Sequence, residues 1–176
     1  FTDVLLKKGY IQNTEEAYKV VFARGGIAFV ENRPAPAAEI IDFIRSNGAA
    51  AVMAHPIHTK FKPDILYNVV RELQQAGLSG IEVFHASQPR ANRQLYLDII
   101  RDLGLITAGG SDFHGGTAHP ENKLGTGRRH NLNMPYMVLE QLHAAANAPA
   151  ANTAAPLSSA SPVPQASYYA ELEKYL

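Results

Sequence analysis

Three stretches of this chain close on residues able to bind a cation or move a proton. They are AAAVMAHP (49–56), GIEVFHAS (80–87) and LITAGGSDFHG (105–115). Each is an apolar run that ends at His55, at His85, or at the Asp112-x-His114 pair. Imidazole and carboxylate ligands without thiolate suit Mn, Fe, Zn or Mg, alone or mixed. The chain has no cysteine, so a thiolate zinc site and a disulfide framework are both excluded. A histidine must be neutral to bind a metal, so a function resting on His114 falls on acidification. Each residue also has a plainer reading: His55 and His85 as hydrogen-bonded structural histidines, Asp112 as a turn cap.

The elements that carry these residues follow from periodicity. Phe1–Lys8 reads as a helix stopped by Gly9, and Asn13 as an N-cap with Glu16 three residues on. Residues 37–47 place Ile40, Ile41 and Ile44 on one stripe before Gly48. KPDILYNVVRELQQAG turns Ile65, Leu66, Val69, Val70 and Leu73 inward and closes at Gly77. PRANRQLYLDIIRDLG does the same with Leu95, Ile99, Ile100 and Leu103, closing at Gly104. A further helix starts at Pro135, a favoured first position.

Helix and strand thus alternate with a period of about 30 residues, the size of a βα unit. The fold class is α/β with a parallel sheet, open or closed into a barrel. Parallel strands point one way, so His55, His85, Asp112 and His114 emerge on the carboxyl-end face, where such folds place their sites. The glycines of GGSDFHGG free that loop to turn. Strand alternation puts Glu82 and His85 on opposite faces, leaving Glu82 a structural role. His58 lies beyond Pro56, which argues against a joint helical site with His55. The second AHP, at 118–120, follows no strand and is set aside.

Lys+Arg and Asp+Glu each number 16 in 176 residues. This balance argues against a chain that coats nucleic acid or an anionic membrane. No apolar run approaches the ~20 residues of a membrane span. The first residues are too charged for a signal peptide. These features describe a cytoplasmic protein. Residues 147–176 are rich in Ala, Pro and Ser and read as a disordered tail, with YYAELEKYL a short terminal helix.

The segments AHP (54–56), EVFHAS (82–87), GGSDFHG (109–115), KLGTG (123–127) and NMPYMVLEQL (133–142), in this order, resemble the PHP (polymerase and histidinol phosphatase) family, nearest its TrpH-like phosphoesterase branch. The resemblance covers roughly residues 1–144 and implies that residues 1–146 are the C-terminal part of a parallel β/α barrel whose earlier metal-binding motifs are absent here. It implies that His55, Asp112 and His114 are metal ligands in a cluster of about two or three divalent ions, completed by residues outside this chain. The implied activity is metal-dependent hydrolysis of a phosphate ester of a nucleotide or short oligonucleotide. On the residues themselves, His85 either touches the phosphate or leaving group or is a plain hydrogen-bonded histidine, and Arg90, Arg93 and Arg128 either supply charge toward a phosphate or stand as solvated cations. Histidinol-phosphate hydrolysis, DNA-end cleavage and a non-catalytic scaffold are the alternatives. A partial barrel would also leave apolar faces and sheet edges open. No stable nucleic-acid partner is expected.

Overall fold

The computed structural model describes residues 1–31, 33–115, 120–148 and 166–175. The chain divides into two compact units, Phe1–Ala35 and Pro36–Leu176. The first contains α1 (Thr2–Lys7), α2 (Thr14–Glu16) and a π-helical turn over Ala17–Val21. Asn13 caps α2: its side chain accepts the Glu16 N–H at 2.9 Å. The Glu16 carboxylate accepts the Gln12 N–H at 2.8 Å, so two free helix-end donors are satisfied. Phe1, Tyr10, Ile27 and Val30 of this unit are exposed.

The second unit begins with α3 (Ala37–Ser46), then β1 (Val52–Met53) and a 3-10 turn over Pro56–Thr59. α4 (Pro63–Gln75), β2 (Gly80–His85), α5 (Arg90–Leu103) and β3 (Ile106–Gly110) complete the alternation. A hairpin of β4 (Asn122–Lys123) and β5 (Gly127–Arg128) follows, then α6 (Met137–Asn147) and α7 (Ala166–Glu173). The strands β1, β2 and β3 pair in parallel in that order, forming an open sheet among the described residues.

The core forms where the apolar runs meet. Ile81, Val83 and Phe84 of β2 are fully enclosed, as expected for a parallel strand covered on both faces. Each such burial contributes roughly 1.5–3 kcal/mol. α5 turns Tyr96, Leu97, Ile99 and Ile100 inward and ends at Gly104 with φ 65°, a left-handed cap that glycine adopts without strain. α4 buries Leu66 and Val70, while Ile65, expected inward, is exposed.

Tyr168, Tyr169 and Leu172 of α7 are buried in the same core. The Tyr168 hydroxyl accepts the Thr107 N–H at 3.2 Å. The Tyr169 hydroxyl donates to the Leu105 carbonyl at 3.0 Å. The expected short terminal helix therefore exists and is docked; residues 149–165 of the expected disordered tail lie outside the described residues. No helix of the described residues is long and apolar enough to cross a membrane.

One irregularity decides the site. β2 and β3 pair Glu82 with Ala108 but Phe84 with Gly109, and His85 with Gly110. Two steps along β2 match one along β3, so Val83 is an inserted bulge residue. Ala108 and Gly110 lie on one face of β3, and their partners Glu82 and His85 therefore share a face. The expectation that Glu82 and His85 point oppositely is corrected by this insertion.

Candidate functional site

The carboxyl ends of the three strands form a rim. His85, the last residue of β2, is only 1% exposed. Its ring centroid lies 5.8 Å from that of His55 and 6.0 Å from that of His58. Its Nε2 lies 3.6 Å from Asp112 Oδ2. The other carboxylate oxygen of Asp112, Oδ1, lies 3.5 Å from His114 Nδ1. That nitrogen also lies 2.9 Å from the Asp112 carbonyl oxygen. A half-buried carboxylate thus stands between two imidazoles, and the buried one reaches on to His55.

Local backbone geometry sets these positions. His55 has φ 30° and ψ 62°, a left-handed conformation that costs a non-glycine residue about 1–3 kcal/mol. It is held there by its N–H, which donates to Glu82 Oε2 at 2.7 Å. Glu82 is thus a rim residue that fixes the His55 main chain. The following 3-10 turn, closed by left-handed Lys60, returns His58 to within 5.1 Å of the His55 ring, centroid to centroid. The argument from Pro56 concerns a joint helical site, and no α-helix joins the two residues; the 3-10 turn brings the two rings together by another route.

Asp112 also has positive φ, 52°, which a short polar side chain tolerates best. Gly109 and Gly110 serve another purpose than the turning expected of them. A Cβ on Gly109 would lie 2.6 Å from Met134 Sδ and 2.7 Å from Phe84 Cβ. A Cβ on Gly110 would lie 3.3 Å from Glu82 Oε1. These two glycines permit close packing within β3, and the left-handed backbone of the loop falls on Asp112 and Gly115.

The β4–β5 hairpin buttresses this loop through Gly125 of KLGTG and through Asn122, which lies outside the motif segments. Asn122 Nδ2 donates to the Asp112 carbonyl at 3.3 Å, and the Gly125 N–H donates to Ser111 Oγ at 3.4 Å. Asn131 Nδ2 donates to the Ala86 carbonyl at 2.6 Å, tying the segment after the hairpin to the end of β2. Arg128, expected to face substrate, pairs with Glu121 at 2.9 Å. Arg90 and Arg93 line a cavity whose walls include none of His55, His85, Asp112 or His114.

The hydrogen bonds of His85 define its proton. The Ser87 N–H donates to His85 Nδ1 at 3.2 Å, and Ser87 Oγ lies 2.8 Å from the same nitrogen. In the neutral imidazole the proton is then assigned to Nε2, the nitrogen facing Asp112. That Nε2 is buried and has no hydrogen-bond partner. The donor set of the rim, imidazole and carboxylate, suits a hard or borderline divalent cation. Among the described residues no three His, Asp or Glu side chains converge closely enough to hold a metal by themselves. The donor types of the rim are compatible with such a cation, but the described residues do not by themselves form a ligand set.

No protein-family model matches the chain. It is 30% identical over 98 residues to a phosphoribosyl 1,2-cyclic phosphate 1,2-diphosphodiesterase of Eggerthella lenta, covering 56% of this chain and 36% of that protein. It is 25% identical over 114 residues to a 3',5'-nucleoside bisphosphate phosphatase of Chromobacterium violaceum, covering 65% and 40%. The chain thus spans about two fifths of the length of these curated relatives. A solved structure from Bifidobacterium adolescentis, described as a metal-dependent phosphoesterase, superposes with a TM-score of 0.56 at 22% identity, over 80% of this chain and 47% of that one. By sequence the chain is a distant relative of phosphoesterases, and its mixed α/β fold with a parallel sheet is like that of the solved neighbour.

Proposed function

We propose that this chain is the C-terminal part of a metal-dependent phosphoesterase that hydrolyses a phosphate ester of a nucleotide or short oligonucleotide. The three strands are then an arc of a closed parallel β/α barrel of PHP type, in a cytoplasmic enzyme. The observation that carries the reading is the Asp112 carboxylate flanked by His85 and His114 at the strand ends. Distant relatedness to two phosphoesterases supports it.

His55, Asp112 and His114 would hold the cations, together with ligands beyond those described. Bound divalent ions supply Lewis acidity toward a phosphoryl oxygen and a hydroxide nucleophile at neutral pH. The protein's own part is placement. Asp112 is fixed through its backbone by Asn122, and His55 through its N–H by Glu82. His85, fixed at Nδ1 by Ser87, presents Nε2–H to the rim, where it donates to a phosphoryl oxygen or to the departing oxygen. Burial of His85 excludes water from that donor and strengthens the bond it makes to charge.

The test is phosphate release from 3'-phosphoadenosine 5'-phosphate by the full-length protein with Mn²⁺. Asp112→Asn should slow it by more than the 10–100-fold typical of groups one shell beyond a metal. Release at the wild-type rate by this variant would refute the assignment.

A further inference from the structure

α5 opens with two cations at the end where a helix favours anions. Its first turn contains Arg90 and Arg93 and no acidic residue, although the partial positive charge of a helix N-terminus stabilises Asp or Glu there. Stability alone therefore does not account for this pair. Arg93 is only 6% exposed, and its guanidinium lies over the Phe84 ring at 5.8 Å. Its Nη2 donates to the Asn131 carbonyl at 3.3 Å, and its Nε is buried with no partner. Burial, and next the like charge of Arg90, hold the Arg93 guanidinium below its ordinary pKa. Two neighbouring cations without a counter-charge among the described residues are poised to gain from an anion.

These two residues line a cavity of about 460 Å³, within the range of small-molecule sites. Among the described residues, none that lines it is acidic. Lys174 also lines it, but its ammonium is paired with Glu171, so the arginines carry the uncommitted charge. His130 reaches the cavity from two consecutive left-handed residues, Arg129 (φ 53°) and His130 (φ 59°). Strain of this kind persists where surrounding structure enforces it, and it clusters at ligand clamps. Gln88 adds a specific feature. Its Nε2 donates to the Val83 carbonyl at 3.2 Å, while its buried Oε1 has no partner. An acceptor so placed needs a donor, which a sugar hydroxyl or base amino group supplies and a bare phosphate ion at neutral pH supplies poorly.

We propose that this cavity is a second anion site, distinct from the metal rim, which binds the phosphate of a nucleotide on Arg90 and Arg93 and the nucleoside beside Gln88. The site deepens the arginine part of the reading above, but it does not require the rim to be catalytic. Its test accordingly runs without metal, so the two readings fail separately.

Equilibrium dialysis of the full-length, EDTA-treated protein against adenosine 5'-monophosphate measures it. Saturable binding is expected, weakened roughly tenfold or more by Arg90→Gln, the loss of one hydrogen bond to charge. Arg93→Lys should weaken it similarly, because a point ammonium does not replace a planar fork. Arg90 is exposed, so its variant keeps the fold, checked by circular dichroism. Lys7→Gln, which removes an equal charge from α1, should bind as wild type. Inorganic phosphate should compete more weakly than the nucleotide. Absence of saturable binding, or binding equal in Arg90→Gln and wild type, would overturn the site. Phosphate competing as well as the nucleotide would overturn the nucleotide assignment.

Discussion

The two sides of the strand-end rim are held by opposite means. On the β2–β3 side, pairing continues to the last residue, with His85 opposite Gly110, and the His85 ring is enclosed. On the β1 side, pairing covers only Val52 and Met53. His55 then stands exposed in a left-handed turn, tied by its N–H to Glu82. One imidazole is positioned by the core, the other through main-chain hydrogen bonds, from its N–H to Glu82 and from the His58 N–H to its carbonyl. Placement by packing is costly to disturb and coupled to global stability. Placement by polar contacts can be lost with the fold intact.

The largest expected effect is on the packed side. Phe84→Ala should destabilise the protein by about 3–5 kcal/mol, read as a shift of the urea midpoint. A loss below about 1 kcal/mol would mean that β2 is not the support claimed here. Alkaline pH should loosen the same side next. Burial pushes the hydroxyls of Tyr168 and Tyr169 up to about 12 from the usual 10.0. The Thr107 N–H opposes this at Tyr168, and Arg101 opposes it at Tyr169. Above the usual value the unfolded chain gives up these protons while the folded one keeps them, so stability must fall with rising pH. The contribution is complete below pH 10 and is lost as pH rises through about 12. Tyrosinate absorbance should appear together with loss of α7, and titration at the ordinary value would contradict the docking.

Gly109→Ala comes next, at about 1–3 kcal/mol from overpacking against Phe84 and Met134, again read in urea. Glu82→Ala should be the smallest globally, about 1 kcal/mol, because the bond it removes is exposed. Its signature is local: the His55 amide should exchange with solvent faster while amides of β2 and β3 keep their protection. Loss of protection throughout the sheet would erase the contrast between the two sides.

Much of this contrast was readable in the residues. The alternation of apolar runs with amphipathic helices gave the parallel sheet, and strand ends brought His55, His85, Asp112 and His114 to one rim. Gly104 marked the end of α5, and the last helix was visible in YYAELEKYL. Three features were hidden for physical reasons. The bulge at Val83 left no trace because Ile81, Val83 and Phe84 are all apolar and buried, so there was no polar alternation for an insertion to break. The approach of His58 to His55 depends on two left-handed residues, His55 and Lys60, neither of them a glycine that would announce a turn. The support from Asn122 and Asn131 spans 10 and 45 residues, beyond the reach of local pattern. Arg128 shows the same limit: a cation near a glycine-rich loop has the same composition whether it serves a phosphate or an ion pair such as the one it makes with Glu121.

The added residue in β2 also bears on how this chain should be aligned with others. A protein lacking an equivalent of Val83 would bring to the same rim an acid located two positions before its histidine, not three. Column-by-column matching through such a strand would equate Glu82 with a side chain on the far face. The gap belongs inside the strand, where alignment penalties place it least readily, and the position that anchors His55 would otherwise look freely variable.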